Sequence, residues 1–286
     1  MDFKSTTFTS HRPRLFGIAY RMLGRKSDAE DVLQDAYLRW HAVADTQVRS
    51  TEAWLTTAVT RLCIDKLRKA KVEREAYFGP WLPEPLSARD VSSPELALEL
   101  DEDISIAFLT LLETLSPEER AVFVLHDILD DDYAEIAQTV GKSEAGCRQI
   151  VHRARERMTA RRRRFHIDEA TRVSMLKKFI EAAQRGDRAA LVSLFASDAI
   201  MASDGGGKAT AVHRPLYGAD RIAWLWYAVA RRAGAPERRI LRANGEPAVG
   251  TYWNGRLHSV ATIETDGEYI HAYYSIANPD KLGSFL

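Results

Sequence analysis

Between residues 130 and 158 the chain has few ways to fold. The stretch "DDDYAEIAQTVGKSEAGCRQIVHRARERM" places apolar residues at helical spacing, breaks at Gly141, and resumes the spacing after Ser143. Glycine there takes the left-handed backbone that ends a helix. Serine two residues on accepts amide hydrogen bonds at the start of the next. Cys147, Ile150, Val151, Ala154 and Met158 share one face of the second segment. Arg148, Gln149, His152, Arg153, Arg155 and Arg157 are left on the other. This is helix-turn-helix geometry, whose second helix enters the DNA major groove. Arginine pairs with guanine edges and glutamine with adenine, and both also hold phosphates. The arginines at 161–164 suit phosphate or solvent. His152 has no ligating neighbour in the sequence, so it is expected to face DNA or pack, and no metal site is expected.

The net charge of zero hides an uneven distribution. Residues 1–75 carry 14 Lys/Arg against 10 Asp/Glu, and residues 76–117 carry 1 against 8. Residues 118–165 carry 10 against 9, with the basic ones crowded at the end. Basic, acidic, then basic again suggests two nucleic-acid-facing modules joined by an acidic connector. No apolar run is long enough to cross a bilayer. The opening "MDFKSTTFTSHRPR" lacks the apolar core of a secretion signal. Cys63 and Cys147 fall at apolar positions of helical patterns and are expected to be buried thiols. A cytoplasmic protein without membrane association is the expectation.

Residues 8–75 read as helices. In "SDAEDVLQDAYLRW", Ala29, Val32, Leu33, Ala36, Tyr37 and Trp40 form the apolar stripe, with Ser27 as N-cap and Glu30 completing a capping box. The opposite face shows Asp28, Asp31, Gln34, Asp35 and an out-of-place Leu38. A second helix starts near Thr51, with a core stripe of Leu55, Val59, Leu62 and Leu67. Arg61, Lys66, Arg68, Lys69 and Lys71 gather toward its C-terminal end, where they suit either DNA contact or the helix dipole and solvent. Four prolines then interrupt residues 76–103, and Pro83 and Pro85 deny "WLPEPL" regular structure. Trp81 and Leu82 are too apolar for a plain spacer. They suit a hydrophobic staple onto a neighbouring domain, or a docking segment.

Residues 168–286 have a different grammar. Helices are expected over about 168–184, 189–195 and within "GADRIAWLWYAVARRAG". Asn244-Gly245, Asn254-Gly255 and Asp266-Gly267 each suit a tight hairpin turn. They separate strands near 238–243, 246–253, 256–264 and 268–277, an antiparallel meander. "DAIMASDGGGKATAVH" reads as two more short strands about a glycine turn, with Asp204 and Lys208 at the rim. Gly205, Gly206 and Gly207 before Lys208 do not make a phosphate loop, because Ala209 stands where the hydroxyl residue belongs and no helix follows. An α+β domain with helices on one face of a curved sheet is predicted.

The whole pattern resembles an extracytoplasmic-function (ECF) sigma factor of the subgroup with a C-terminal SnoaL-like extension. "LFGIAYRMLGRKSDAEDVLQDAYLRW" resembles sigma region 2, within residues 1–75. The helix-turn-helix resembles region 4, within residues 105–165. Residues 166–286 look like a SnoaL-like cone, and 76–104 are the Pro-rich, then acidic, linker. "WLPEPL", "DGGGK" and "NPDKL" match short motifs of that subgroup.

The resemblance implies a role for each part. Asp28, Asp31, Gln34, Asp35 and Leu38 would bind core RNA polymerase. Gln47, Arg49 and Ser50 would read a base flipped from the −10 element of promoter DNA, and Arg61, Lys66, Arg68 and Lys69 would hold its backbone. Arg148, Gln149, His152, Arg153 and Arg155 would read the −35 element. The acidic stretch 95–103 would thread a basic RNA-exit path. Trp81, Leu82, Pro83, Glu84 and Pro85 in the linker are the first group of interdomain regulatory candidates. Asp204 with Gly205, Gly206, Gly207 and Lys208 is the second. Asn278, Pro279, Asp280, Lys281 and Leu282 are the third.

The expected function is promoter-specific transcription initiation, with the C-terminal domain modulating activity in place of a separate anti-sigma factor. The alternative is a SnoaL-like enzyme or small-ligand sensor fused to a DNA-binding module. Trp224, Tyr227, Trp253, His258, His271 and Tyr273 could line its pocket, and Asp204, His213, His258 and His271 could supply an acid or base. An unidentified small ligand there is the remaining partner considered. No catalytic residue and no cofactor are expected.

Overall fold

The computed structural model describes residues 3–44, 50–91, 93–100, 104–161, 167–232 and 236–286. The chain divides into two compact units. The first is helical and comprises residues 1–75, 91–104 and 108–163; the second comprises 76–90, 105–107 and 164–286.

In the helical unit, α1 (Phe3–Leu23), α2 (Lys26–Ala42) and α3 (Thr51–Glu75) pack as a bundle. The apolar stripes meet as expected. Leu15, Ile18, Ala19 and Met22 of α1 are sealed among Ala29, Val32, Leu33 and Ala36 of α2 and Leu55, Val59, Leu62 and Leu67 of α3. The expected cap of α2 is shifted. The helix starts at Lys26 after an extended Arg25, which makes no side-chain cap, and Ser27 lies inside its first turn. Within the acidic stretch, α4 (Pro94–Leu100) packs on α1, and Arg21 donates to the Glu99 carbonyl at 2.8 Å. Residues 101–103 fall outside the described residues.

After α5 (Ile106–Leu112), α6 (Pro117–Phe123) opens on a capping box between Ser116 and Glu119 and runs on through a π-helical turn at Val124–Ile128. α7 (Tyr133–Val140) ends on Gly141 at φ +68°, the left-handed conformation that glycine takes without strain. Ser143 Oγ then accepts the Gly146 amide at 3.1 Å and starts α8 (Glu144–Arg161). Cys147, Val151, Ala154 and Met158 are buried, as the spacing requires.

In the second unit, α9 (Glu169–Arg185) is capped by Asp168 and closed by Gly186. It is followed by α10 (Arg188–Leu194), β1 (Phe195–Asp204), β2 (Leu216–Tyr217) and α11 (Ala219–Ala230). β3 (Glu237–Ala243), β4 (Glu246–Trp253), β5 (Arg256–Thr265) and β6 (Ile270–Ile276) complete a sheet in the order β2-β1-β6-β5-β4-β3. Asn244-Gly245 and Asn254-Gly255 have positive φ throughout, the hairpin turn expected of them. At Asp266-Gly267 only the glycine does. There the Asp266 carboxylate accepts the amides of Glu268 and Tyr269 and makes a wider turn.

Two expectations for this sheet are corrected. "DAIMASD" is the end of one ten-residue strand, Phe195–Asp204, and the segment after the glycines is irregular until the short β2. β1 also lies parallel to β6, with Asp204 opposite Ile276, in a sheet otherwise antiparallel. The parallel pair brings the chain ends that follow β1 and β6 out at the same edge.

One core of this unit lies between the sheet and its helices, around Phe179, Trp226, Ile263 and Tyr273. A second joins Leu82 and Ile106 to Ala202, Ala248, Val260, Ile276 and Leu282.

Candidate regulatory and promoter-binding sites

The three short motifs meet. "WLPEP" runs without regular structure, and Leu82, Pro83, Glu84 and Pro85 are buried. Asp204, at the end of β1, is fully sealed from solvent rather than at the rim. Its carboxylate accepts the Tyr77 hydroxyl at 2.6 Å, the Leu82 amide at 2.9 Å and the Lys281 ammonium at 2.7 Å. Lys281, 2% exposed, also donates to the Leu82 carbonyl at 2.5 Å and lies 4.0 Å from the centre of the Trp81 ring. The Asn278 amide donates to the Tyr77 oxygen at 2.8 Å, while its carbonyl oxygen accepts the Asp280 amide in the short turn Pro279–Lys281. A buried charge is stable only when paired and fully hydrogen-bonded, which this arrangement supplies.

The glycines make that closeness possible. A Cβ on Gly205 would stand 2.5 Å from the Ala209 carbonyl oxygen. One on Gly206 would overlap the Asn278 amide. Lys208 reaches the surface and pairs with Asp280 at 2.5 Å, and Leu282 is buried in the second core. The Asn244 side-chain carbonyl oxygen, which the sequence reading passed over, accepts the Leu86 amide at 2.8 Å, and the Asn244 backbone N–H donates to the Leu86 carbonyl. Its place in a hairpin turn gave no signal of this second task.

On α8, Gln149, His152 and Arg153 stand exposed. Arg148 pairs with Glu144 and lies over the Tyr133 ring. Arg155 grips Asp127 through two bonds of 2.8 and 3.0 Å, and Arg157 grips Glu119. These last two pin α8 to α6 and the turn after it, a role that their outward placement in the sequence did not reveal.

On α3, Lys69 is exposed, but three neighbours are engaged within the helical unit. Arg61 donates to the carbonyls of Gln138 and Thr139 at the end of α7. Arg68 pairs with Glu118 at 2.5 Å, and Lys66 bridges Asp28 and Asp31 at 2.9 and 3.0 Å. Asp28 and Asp31 thus tie α2 to α3, whereas Gln34, Asp35 and Leu38 form an exposed face, with Leu38 60% accessible. Ser50 caps α3, accepting the Ala53 amide at 3.3 Å. Gln47, Arg49 and residues 162–164 lie outside the described residues.

The residues considered for catalysis do not converge. Asp204 is committed to the linker. His271 is bound to Asp266 at 2.7 Å, His213 is exposed against the Phe78 ring, and burial lowers the pKa of His258 despite its bond to the Thr210 backbone. Trp224 is exposed beside a surface cleft shared with Arg188, Leu216 and Asp220, while Tyr273 is core.

Comparison with known proteins completes the picture. Residues 7–73 match Sigma-70 region 2 and residues 105–158 match Sigma-70, region 4. The chain is 36% identical to the ECF RNA polymerase sigma factor SigJ of Mycobacterium tuberculosis, over 96% of this chain and 91% of that protein. The chain is an ECF sigma factor. The crystal structure of M. tuberculosis SigJ superposes with a TM-score of 0.79 over 98% of each chain, at 32% identity. The probable ECF sigma factor SigI of the same species is 30% identical over 98% of this chain and 95% of its own. As a sigma factor, the protein binds core RNA polymerase and promoter DNA and directs transcription initiation. Among the described residues no helix is long and apolar enough to cross a membrane.

Proposed function

We propose that residues 166–286 act as a built-in regulator of the two promoter-reading regions by gripping the linker between them. The supporting observation is the Asp204 carboxylate, which takes the Leu82 amide while Lys281 takes the Leu82 carbonyl. Ile106, just past the linker at the start of α5, enters the same core as Leu82. The segment connecting region 2 to region 4 is therefore held near both ends by one domain. Promoter elements sit at fixed separation, so a domain that controls this segment controls how both readers engage at once. No separate anti-sigma factor is needed in this scheme.

Within it, the domain limits are 1–75, 76–104, 105–165 and 166–286. Gln149, His152 and Arg153 read the −35 element, with Arg148 and Arg155 beside them. Gln47, Arg49 and Ser50 read the −10 element, and Arg61, Lys66, Arg68 and Lys69 hold its backbone. Gln34, Asp35 and Leu38 are the polymerase face, which also gives an exposed leucine a reason to be there.

The test is transcription in vitro with core polymerase. The full chain is compared with Asp204→Ala, Lys281→Met and a chain ending at residue 165. Altered promoter binding or output in the variants supports the reading. Identical output from all four would sink it.

A further inference from the structure

Region 4 rests on α3, the helix of region 2 assigned above to the promoter backbone, and both lie in the helical unit. Thr57 Oγ1 on α3 and Thr139 Oγ1 on α7 are 3.0 Å apart. One turn along α3, Arg61 donates from Nε to the Thr139 carbonyl at 2.9 Å and from Nη2 to the Gln138 carbonyl at 2.8 Å. Two turns further, Arg68 gives Nε and Nη2 to Glu118 of α6 at 3.0 and 2.5 Å. Arg14 of α1 reaches Asp131, just before α7, at 2.7 Å.

Nε and Nη2 form one edge of a guanidinium, and such an edge takes a phosphate through two parallel hydrogen bonds. Both arginines have this edge engaged by region 4. The two cases differ in what frees it. Glu118 is a partly exposed side chain that can turn away when a phosphate competes. Gln138 and Thr139 offer backbone oxygens in the last turn of α7, where carbonyls lack partners within the helix and a cation is favourably placed. A helix carbonyl cannot rotate aside. Arg61 regains its edge only when α7 moves off α3, and α7 carries α8 with it through the Gly141 turn.

The contact is also one-sided. Gln34, Asp35 and Leu38 stay exposed on α2, and Gln149, His152 and Arg153 stay exposed on α8. The polymerase face and the −35 reader are open while part of the −10 face is taken.

We propose that the end of α7 is an autoinhibitory latch on α3. The latched protein reads the −35 element, and it grips the −10 backbone only after region 4 swings off region 2. The latch rests on the reading of Arg61 and Arg68 as holders of that backbone.

The test closes the latch covalently in the full chain. Thr57→Cys/Thr139→Cys puts sulfurs where the oxygens are 3.0 Å apart, and oxidised glutathione joins them by taking up their two hydrogens. Closure is read as loss of free thiol, with Thr57→Cys and Thr139→Cys alone given the same treatment. The probes are a promoter fragment that the full chain transcribes with core polymerase, its −35 half as duplex and its −10 half as single strand. Closure should lower transcription and −10 binding roughly tenfold or more, the scale of lost bonds to a charged group, and leave −35 binding as it was. Dithiothreitol should restore both. Glu118→Gln/Thr139→Val loosens the latch from the region 4 side and should bind the −10 strand more tightly than wild type. It decides the matter should the cysteine pair fail to fold or to close. Transcription unchanged on closure, −35 binding lost along with it, or no tighter −10 binding in the loosened variant would each overturn the proposal. Lys69→Gln then separates the causes, because Lys69 is exposed on α3 and takes no part in the latch. Weaker −10 binding in Lys69→Gln leaves the promoter face of α3 standing and removes the latch alone; unchanged binding removes both.

Discussion

Lys281 and Asp204 form an ion pair at 2.7 Å in which neither side chain has meaningful contact with water, at 2% and 0% exposure. The pair is the hinge of the linker grip, because each partner also holds one side of the Leu82 peptide backbone. Removing one partner of such a pair strands a buried charge, at about 3–5 kcal/mol. Asp204→Ala and Lys281→Met should each lower unfolding stability by that order in urea titrations. The Asp204→Ala/Lys281→Met double variant should lose clearly less than the sum of the two. Additive losses would show that the pair does not act as a unit.

Gly206 and Gly207 both have positive φ, +57° and +71°, but different surroundings. A Cβ on Gly206 meets the Asn278 amide and the Tyr77 hydroxyl, whereas one on Gly207 finds Phe78 Cβ at an ordinary 3.5 Å. Gly207→Ala should cost only the left-handed backbone, about 1–2 kcal/mol. Gly206→Ala should cost more and should also perturb the linker, read as faster proteolysis within residues 76–90.

Region 4 offers a separation of roles. Gln149→Ala and Arg153→Ala should weaken −35 binding by about 1–3 kcal/mol each, for lost base contacts, with the melting temperature unchanged. Arg155→Ala should instead lower stability, by about 1 kcal/mol or less because the Arg155 side of the pair is exposed to solvent, although Asp127 is mostly covered. Fluorescence anisotropy on promoter DNA and thermal melts, run in parallel, distinguish the two.

Glu118 competes with a DNA phosphate for the Arg68 guanidinium, whose side chain is otherwise exposed. Glu118→Gln should therefore tighten promoter binding and steepen its salt dependence, and Arg68→Gln should do the reverse. Unchanged affinity in both would remove Arg68 from the DNA contact.

One carboxylate gives an acid signature. Burial would raise the pKa of Asp266, but the amides of Tyr269 and Glu268 and the His271 side chain outweigh it and pull the value down to about 2. An aspartate in an unfolded chain titrates near ~3.9. The native state thus gains stability above that value and loses it as pH falls toward 2. The urea midpoint of the wild type should drop between about pH 4 and 2. In Asp266→Asn this component of the drop should vanish.

Much of the architecture was legible in the sequence because it rests on local rules. Gly141 and Ser143 end one helix and start the next whatever surrounds them. Asn244-Gly245 and Asn254-Gly255 turn because their own backbones favour it. The apolar stripes of α2, α3 and α8 buried themselves as their periodicity required. The Ser27 cap was misplaced because a serine before an apolar run looks the same one residue inside the helix as at its start. The engagement of Arg61, Arg68, Arg155 and Arg157 was hidden for a different reason. Their partners are 28 to 78 residues away, and a basic residue facing outward in a helix pattern looks equally free whether or not an acceptor meets it.

The sequence by itself marked "WLPEP", "DGGGK" and "NPDKL" through their resemblance to the short motifs of one sigma-factor subgroup. It could not say where they meet. A meander of hairpins would have sent the ends of neighbouring strands to opposite edges. The parallel pairing of β1 with β6 puts Asp204 beside Ile276, so the loops that follow them emerge together, and the linker returns to that edge through Leu82. Strand pairing across some seventy residues is set by which apolar faces bury best together, and only the assembled sheet decides that.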